Sequence, residues 1–193
     1  MYDYIKGDIA ELTPTHVVIE VDGIGYNINI SLYSYSNLQG AASCKLFLHQ
    51  VVREDAHLLY GFFSARERKV FRLLISVSGI GANTARVIMS SMSPDEVEET
   101  IAQGDYNKLQ AVKGIGAKTA QRIIVDLKDK VSKTAESGQI FKQPDNTIKK
   151  EALSALEILG FSKKQSEKVI DKLLLQNAVM PVEDLIKQAL KIL

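Results

Sequence analysis

The chain has 193 residues, with 24 Lys and Arg against 23 Asp and Glu, 46% hydrophobic residues, twelve Gly and four Pro. That composition excludes collagen, wholesale disorder and a disulfide-stapled mini-protein, and the length holds one large domain or two to three small ones. The single cysteine, Cys44, forms no internal disulfide, so a reduced cytoplasmic setting is expected. The three histidines, His16, His49 and His57, lack metal-ligand spacing, and no metal or other cofactor is expected. The opening MYDYIKGDIAEL has no apolar signal core, and no run approaches the roughly 18 apolar residues of a membrane helix, so no membrane partner is expected.

Residues 1–63 read as β. Val17, Ile19 and Val21 alternate with Val18, Glu20 and Asp22, and Tyr26, Ile28 and Ile30 alternate with Asn27 and Asn29. Asp22-Gly23-Ile24-Gly25 between them is a turn signal. Further runs at Lys45–Val52 and His57–Phe62 flank Arg53-Glu54-Asp55-Ala56, a second hairpin. Several short strands in so few residues predict a small closed barrel of the OB-fold kind.

At Ser64 the period changes. Ser64 with Glu67 fits a capping box, and Val70, Phe71, Leu74 and Ile75 form a helical stripe. Ser93-Pro94-Asp95-Glu96 repeats the start signal, with Pro at the first helical position. Residues 64–131 therefore read as several short helices. Residues 132–146 lack periodicity and are expected to be a flexible linker. Residues 147–193 read as a three-helix bundle. Its stripes are Ala152, Leu153, Leu156 and Leu159, then Val169, Ile170, Leu173 and Leu174, then Leu185, Ile186, Ala189 and Leu190. Ser162 with Gln165 opens its second helix as a capping box. The fold class is thus multidomain α+β.

The near-zero net charge hides an asymmetry. Residues 1–60 hold three basic against seven acidic side chains, residues 61–91 five against one, and residues 106–133 seven against two. The basic blocks are either a polyanion surface or solvated helix faces; composition leaves both open.

An internal repeat points to the first. Gly79-Ile80-Gly81-Ala82-Asn83-Thr84-Ala85-Arg86-Val87-Ile88 returns 35 residues later as Gly114-Ile115-Gly116-Ala117-Lys118-Thr119-Ala120-Gln121-Arg122-Ile123, with seven of ten positions identical. Each copy follows a short apolar helix and opens another, which makes a helix–hairpin–helix. Glycines permit the tight turn and close backbone approach. The next helix N-terminus offers unpaired N–H groups to a phosphate. Lys118 adds charge and Thr119 a hydroxyl, while Asn83, Thr84, Arg86 and Arg122 occupy comparable places. Such contacts hold a nucleic-acid backbone without reading bases. A dinucleotide fingerprint fails because Thr84 and Thr119 stand where its last glycine belongs, and a P-loop fails because Ala117 precedes Lys118.

Across nearly its whole length the chain resembles the RuvA family of bacterial Holliday-junction-binding subunits. The resemblance rests on VDGIGY (Val21–Tyr26), VVREDAHLLYGF (Val51–Phe62), both GIG hairpins, IIVDLKDK (Ile123–Lys130) and EALSALEILGF (Glu151–Phe161). It implies an OB-fold, a tandem helix–hairpin–helix domain and a mobile C-terminal module. It implies a non-catalytic subunit binding four-way junction DNA as a homotetramer, paired into octamers in some members. The RuvB ATPase is the implied motor and the RuvC resolvase a member of the wider complex. Glu54 and Asp55 fall at the family's acidic pin, and Leu156, Leu159, Phe161 and Leu190 fall in its motor-binding stretch, where Phe161 is expected to be the most exposed. Two positions depart: Asn83 stands where many members carry Lys, and Phe161 where many carry Tyr. The first makes the Lys118 hairpin the expected electrostatic anchor. Two readings from other classes stand beside this one. A helix–hairpin–helix nuclease or glycosylase would have to draw on Asp126 and Asp129, which sit at helical spacing beside Lys128 and Lys130. A protein-binding scaffold would show no DNA affinity.

Overall fold

A computed structural model describes residues 2–138, 144–177 and 180–193. It divides into two compact units, Met1–Glu136 and Ser137–Leu193.

The first unit opens with strands β1 (Tyr4–Leu12), β2 (His16–Val21) and β3 (Ile24–Asn29), a short helix α1 (Leu32–Leu38), then β4 (Ser43–Val52) and β5 (His57–Phe62). They close into a barrel in the order β1-β2-β3-β5-β4. All pairings are antiparallel except β3 with β5, which meet in parallel at Asn29 and Tyr60. The four expected strand runs, two from alternation and two flanking the Arg53–Ala56 turn, are present, and the closed barrel is the one those runs predicted. Two elements were not read. Strand β1 hides because its inward alternation, from Ile5 to Ile9, is interrupted by Gly7. A Cβ there would lie 2.2 Å from the Glu20 carbonyl oxygen, so only glycine fits. Helix α1 is short and capped by Ser31, whose side chain accepts from the Ser34 N–H.

Helices α2 (Ala65–Ile75), α3 (Ala82–Ser91), α4 (Pro94–Gln103), α5 (Tyr106–Gln110) and α6 (Ala117–Gly138) follow. Ser93 and Glu96 form the expected reciprocal capping box. At α2 the Ser64 hydroxyl accepts from the Glu67 N–H at 3.0 Å, and the Glu67 carboxylate turns inward and is fully buried. It accepts from the hydroxyls of Ser31 at 2.7 Å and Ser34 at 2.8 Å, and from the Phe63 N–H at 2.8 Å. The last strand and the helices share one core. Phe71 is wholly buried, with the rings of Phe62, Tyr60 and His49 at 4.7, 5.4 and 5.5 Å.

The second unit contains α7 (Pro144–Ile158), α8 (Lys163–Gln176) and α9 (Val182–Leu190) around Ala152, Leu156, Ile170, Leu173 and Leu185. Of the segment expected as linker, α6 extends to Gly138 and α7 begins at Pro144, while 139–143 lie outside the described residues. Lys133, Thr134, Ala135 and Glu136 continue α6 without a breaker, which is how helix enters a stretch lacking an apolar stripe. The Ser162 hydroxyl donates to the Gln165 side chain at 2.8 Å instead of capping a backbone N–H.

Candidate nucleic-acid interface

The two hairpins repeat in three dimensions as they do in sequence. In the first, the Ile80 N–H donates to the Val77 carbonyl at 3.0 Å and the Ala85 N–H to that of Gly81 at 3.0 Å. In the second, Ile115 donates to Val112 at 3.1 Å and Ala120 to Gly116 at 2.9 Å. Gly79 and Gly114 have φ of +92° and +90°, a left-handed conformation that side chains resist. Ile80 and Ile115 are buried and plug each turn into the core. A Cβ on Gly81 or Gly116 would meet no atom within 4 Å, so nothing inside the chain demands glycine there. Their bare backbone leaves room for an outside group. Gly81 is the N-cap of α3 and supplies no side-chain cap, so the first N–H groups of that helix are left without a capping side chain.

The flanking side chains divide by role. Lys118 is exposed and Thr119 half-buried at the start of α6, and neither meets a partner among the described residues. Asn83 is exposed and accepts from the Tyr60 hydroxyl at 3.4 Å, with Thr84 half-buried beside it. Arg86, expected to face phosphate, has its Nη1 turned to the barrel, donating to the Thr15 carbonyl at 3.0 Å and the Asn29 side chain at 3.3 Å. Arg122 donates from Nη1 to the Ser78 carbonyl at 3.1 Å, tying the second hairpin's helix to the first hairpin's turn. The Leu32 N–H donates to the Ser90 hydroxyl, a further tie between barrel and α3. Sequence spacing could not reveal these ties, because their partners lie 57 to 71 residues away for α3.

The acidic tip lies on the same unit. The Arg53 N–H donates to the Ala56 carbonyl at 2.9 Å and closes the β4–β5 hairpin. Glu54 and Asp55 at its end are exposed, and neither has an ion pair among the described residues.

In the second unit the apolar candidates separate. Leu156 is fully buried, which removes it from any partner surface. Its place on the inward stripe of α7 explains this. Phe161 is half-buried and packs on the bundle core, contrary to the expectation that it would be the most exposed. It follows Gly160, whose φ of +97° turns the chain back, and the Phe161 N–H bonds the Leu156 carbonyl at 3.0 Å. Leu159 and Leu190 are exposed, at 57% and 41%. Ile158 and Leu175, more exposed still at 84% and 88%, were missed. Each lies two residues from a core position, about 200° around a helix, and an apolar residue off the stripe was the available signal.

Among the described residues no group of three or more His, Cys, Asp or Glu could hold a metal ion, and no helix is long and apolar enough to cross a membrane. The chain matches the family descriptions RuvA N terminal domain over residues 1–61, SAM-like Helix-hairpin-helix tandem over 71–129, and RuvA, C-terminal domain over 148–193. Among curated proteins it is 52% identical over 191 residues to the Holliday junction branch migration complex subunit RuvA of Christiangramia forsetii, covering 99% of both chains. The proteins of the same name from Flavobacterium psychrophilum and Bacteroides fragilis are 49% and 48% identical, again over 99% of both chains.

Proposed function

The chain belongs to the RuvA family, and from that premise we propose that it is the non-catalytic subunit that binds a four-way DNA junction and holds it open for branch migration. Four copies cradle the junction. In each, Gly79, Gly81, Asn83 and Thr84 in one hairpin and Gly114, Gly116, Lys118 and Thr119 in the other hold arm phosphates through backbone N–H groups, with Lys118 the main charge. Glu54 and Asp55 gather at the crossover and repel phosphate from its centre. Arg122 braces the two turns against each other, and Arg86 fixes the first to the barrel. The second unit recruits the RuvB motor, which supplies ATP hydrolysis, with RuvC joining the wider complex. Leu159 and Leu190, together with Ile158 and Leu175, offer that unit's apolar contacts. This work takes place in the cytoplasm.

The observation that carries the reading is the pair of glycine turns with matching left-handed φ, on one unit with an exposed acidic hairpin. Neither a lone phosphate grip nor a lone acidic turn calls for branched DNA; together they do. The test is a competition gel shift, four-way junction against linear duplex of equal phosphate count. Strong preference for the junction is expected, with affinity falling steeply as salt rises. Equal affinity for both would remove the junction-specific function. Lys118→Ala is expected to weaken binding on any sequence and to reduce the salt slope by about 0.9 for each copy that loses its phosphate contact, roughly 4 for four copies.

A further inference from the structure

Helix α2 ends at the first glycine turn and α6 begins at the second. Alongside both lies a groove of about 450 Å³ whose lining includes Arg68, Lys69, Arg72, Ser76 and Lys130. Lys130 is twelve residues along α6 from Lys118, about 18 Å at the helical rise. The groove therefore recedes from the phosphate-gripping turns toward the barrel. At that end Arg68 Nη1 donates to the Asp3 carboxylate at 2.6 Å and to the Leu48 carbonyl at 3.2 Å. Lys69 and Arg72 meet no carboxylate among the described residues. His49 on β4 registers the field: burial first, then Arg72 and Arg68, hold its imidazole below the usual histidine range.

The same unit carries a complementary surface. In the β1–β2 register Asp8 stands directly opposite Glu20. Both are exposed, and neither has an ion pair among the described residues. Like charges facing each other across a ladder are destabilising, and a cation seated outside them removes that cost. Asp8 lies five residues beyond Asp3, about 16 Å along the strand, so it does not serve the groove of its own copy.

We propose that this basic groove receives the acidic outer face of the β1–β2 ladder, at Asp8 and Glu20, from a second copy of the chain. The inference rests on the reading of four copies around one junction and names the contact that would build that assembly. Groove and ladder are different surfaces, so the contact is heterologous, the kind that joins four copies into a ring where each is turned a quarter turn from the last. Only Phe63 and Ser64 separate the acidic hairpin's second strand from α2.

Light scattering and native mass spectrometry of the full chain, without DNA, measure the assembly. Arg72→Glu, and separately Lys69→Glu or Glu20→Lys, are expected to raise the dissociation constant between copies about tenfold or more. The combined Arg72→Glu, Glu20→Lys chain is expected to return to within about threefold of wild type. Circular dichroism checks that each variant is folded. Arg72→Glu and Lys69→Glu chains that assemble like wild type would overturn the proposal, as would a charge swap no better than its weaker single variant. An Arg72→Glu chain that assembles normally yet loses junction affinity would assign the groove to DNA instead. Lys118→Ala separates the two readings: it is expected to assemble normally, and an unchanged junction affinity there counts against the hairpins alone.

Discussion

At the scale of single residues, Glu67 carries the sharpest prediction. Burial raises its carboxyl above its ordinary value of 4.5, while hydrogen bonds from Ser31, Ser34 and Phe63 pull the other way. A carboxyl raised in the folded state holds its proton there at a pH where the unfolded chain has released it. Its contribution to stability is therefore fully present below the unfolded value and falls as pH rises toward the folded one. Glu67→Gln abolishes that proton uptake. Denaturant midpoints measured from pH 4 upward should show the wild type losing stability relative to the variant across that window. A constant difference between the two would show that Glu67 titrates alike folded and unfolded. Gly79→Ala places a side chain at φ +92° and should cost about 1–2 kcal/mol, measured as a shift in denaturant midpoint. The glycine requirement at Gly79 and Gly114 was legible from the repeat alone. The inward turn of Glu67 was not, because its partners Ser31 and Ser34 are more than 30 residues upstream and belong to a helix that carried no sequence signal.

At the scale of elements, periodicity located what had a clean period. Helix α2 was legible because it keeps one apolar face, and β5 because an apolar run follows the Arg53–Ala56 turn. Strand β1 was not, because Gly7 must yield its side chain to the Glu20 carbonyl, and the ladder shifts register between Ile9 and Glu11. The division of roles between Arg86 and Lys118 was equally hidden. Both are cations a few residues past a glycine, and only the approach of Thr15 and of Asn29 on β3 to α3 captures one of them. The shared core has a measurable consequence. Phe71 packs on rings from β4 and β5 as well as on its own helical neighbours, so Phe71→Ala should cost about 3–5 kcal/mol. Barrel and helices should still unfold together, in one transition followed by both tyrosine fluorescence and far-UV circular dichroism. Two separated transitions would show that the strands and helices are independent cores. In the second unit the stripes located the core, although Leu159 and Leu190 at the ends of their stripes are exposed; Ile158 and Leu175 lie off the stripes and are more exposed still, so Ile158→Ser and Leu175→Ser should leave stability within about 0.5 kcal/mol.

At the scale of the whole molecule, the distribution of charge decides what net charge conceals. The N-terminal 60 residues carry an acidic excess and the helical blocks a basic one, on a single unit. A polyanion approaching the hairpins is attracted by Lys118 and the helix N-termini and repelled by Glu54 and Asp55. A linear duplex gains only by avoiding the tips. On the proposed reading a four-way junction seats its arms on the hairpins and leaves its open centre to the tips, so the same repulsion that penalises duplex is harmless to the branched form. Neutralising the tip as Glu54→Gln with Asp55→Asn should therefore act unequally. Affinity for linear duplex should hold or rise, affinity for the junction should change less, and the ratio between them should fall. Screening adds a second signature. The tip carboxylates are exposed, and their reach shrinks to about 8 Å at physiological ionic strength. The gap in selectivity between wild type and variant should accordingly be widest at low salt and narrow as salt is added. Parallel titrations of both chains against both DNAs, at three salt concentrations, measure it. A variant that keeps the wild-type ratio at every salt would show that junction preference comes from the spacing of the glycine turns alone, with Glu54 and Asp55 serving only as a soluble turn.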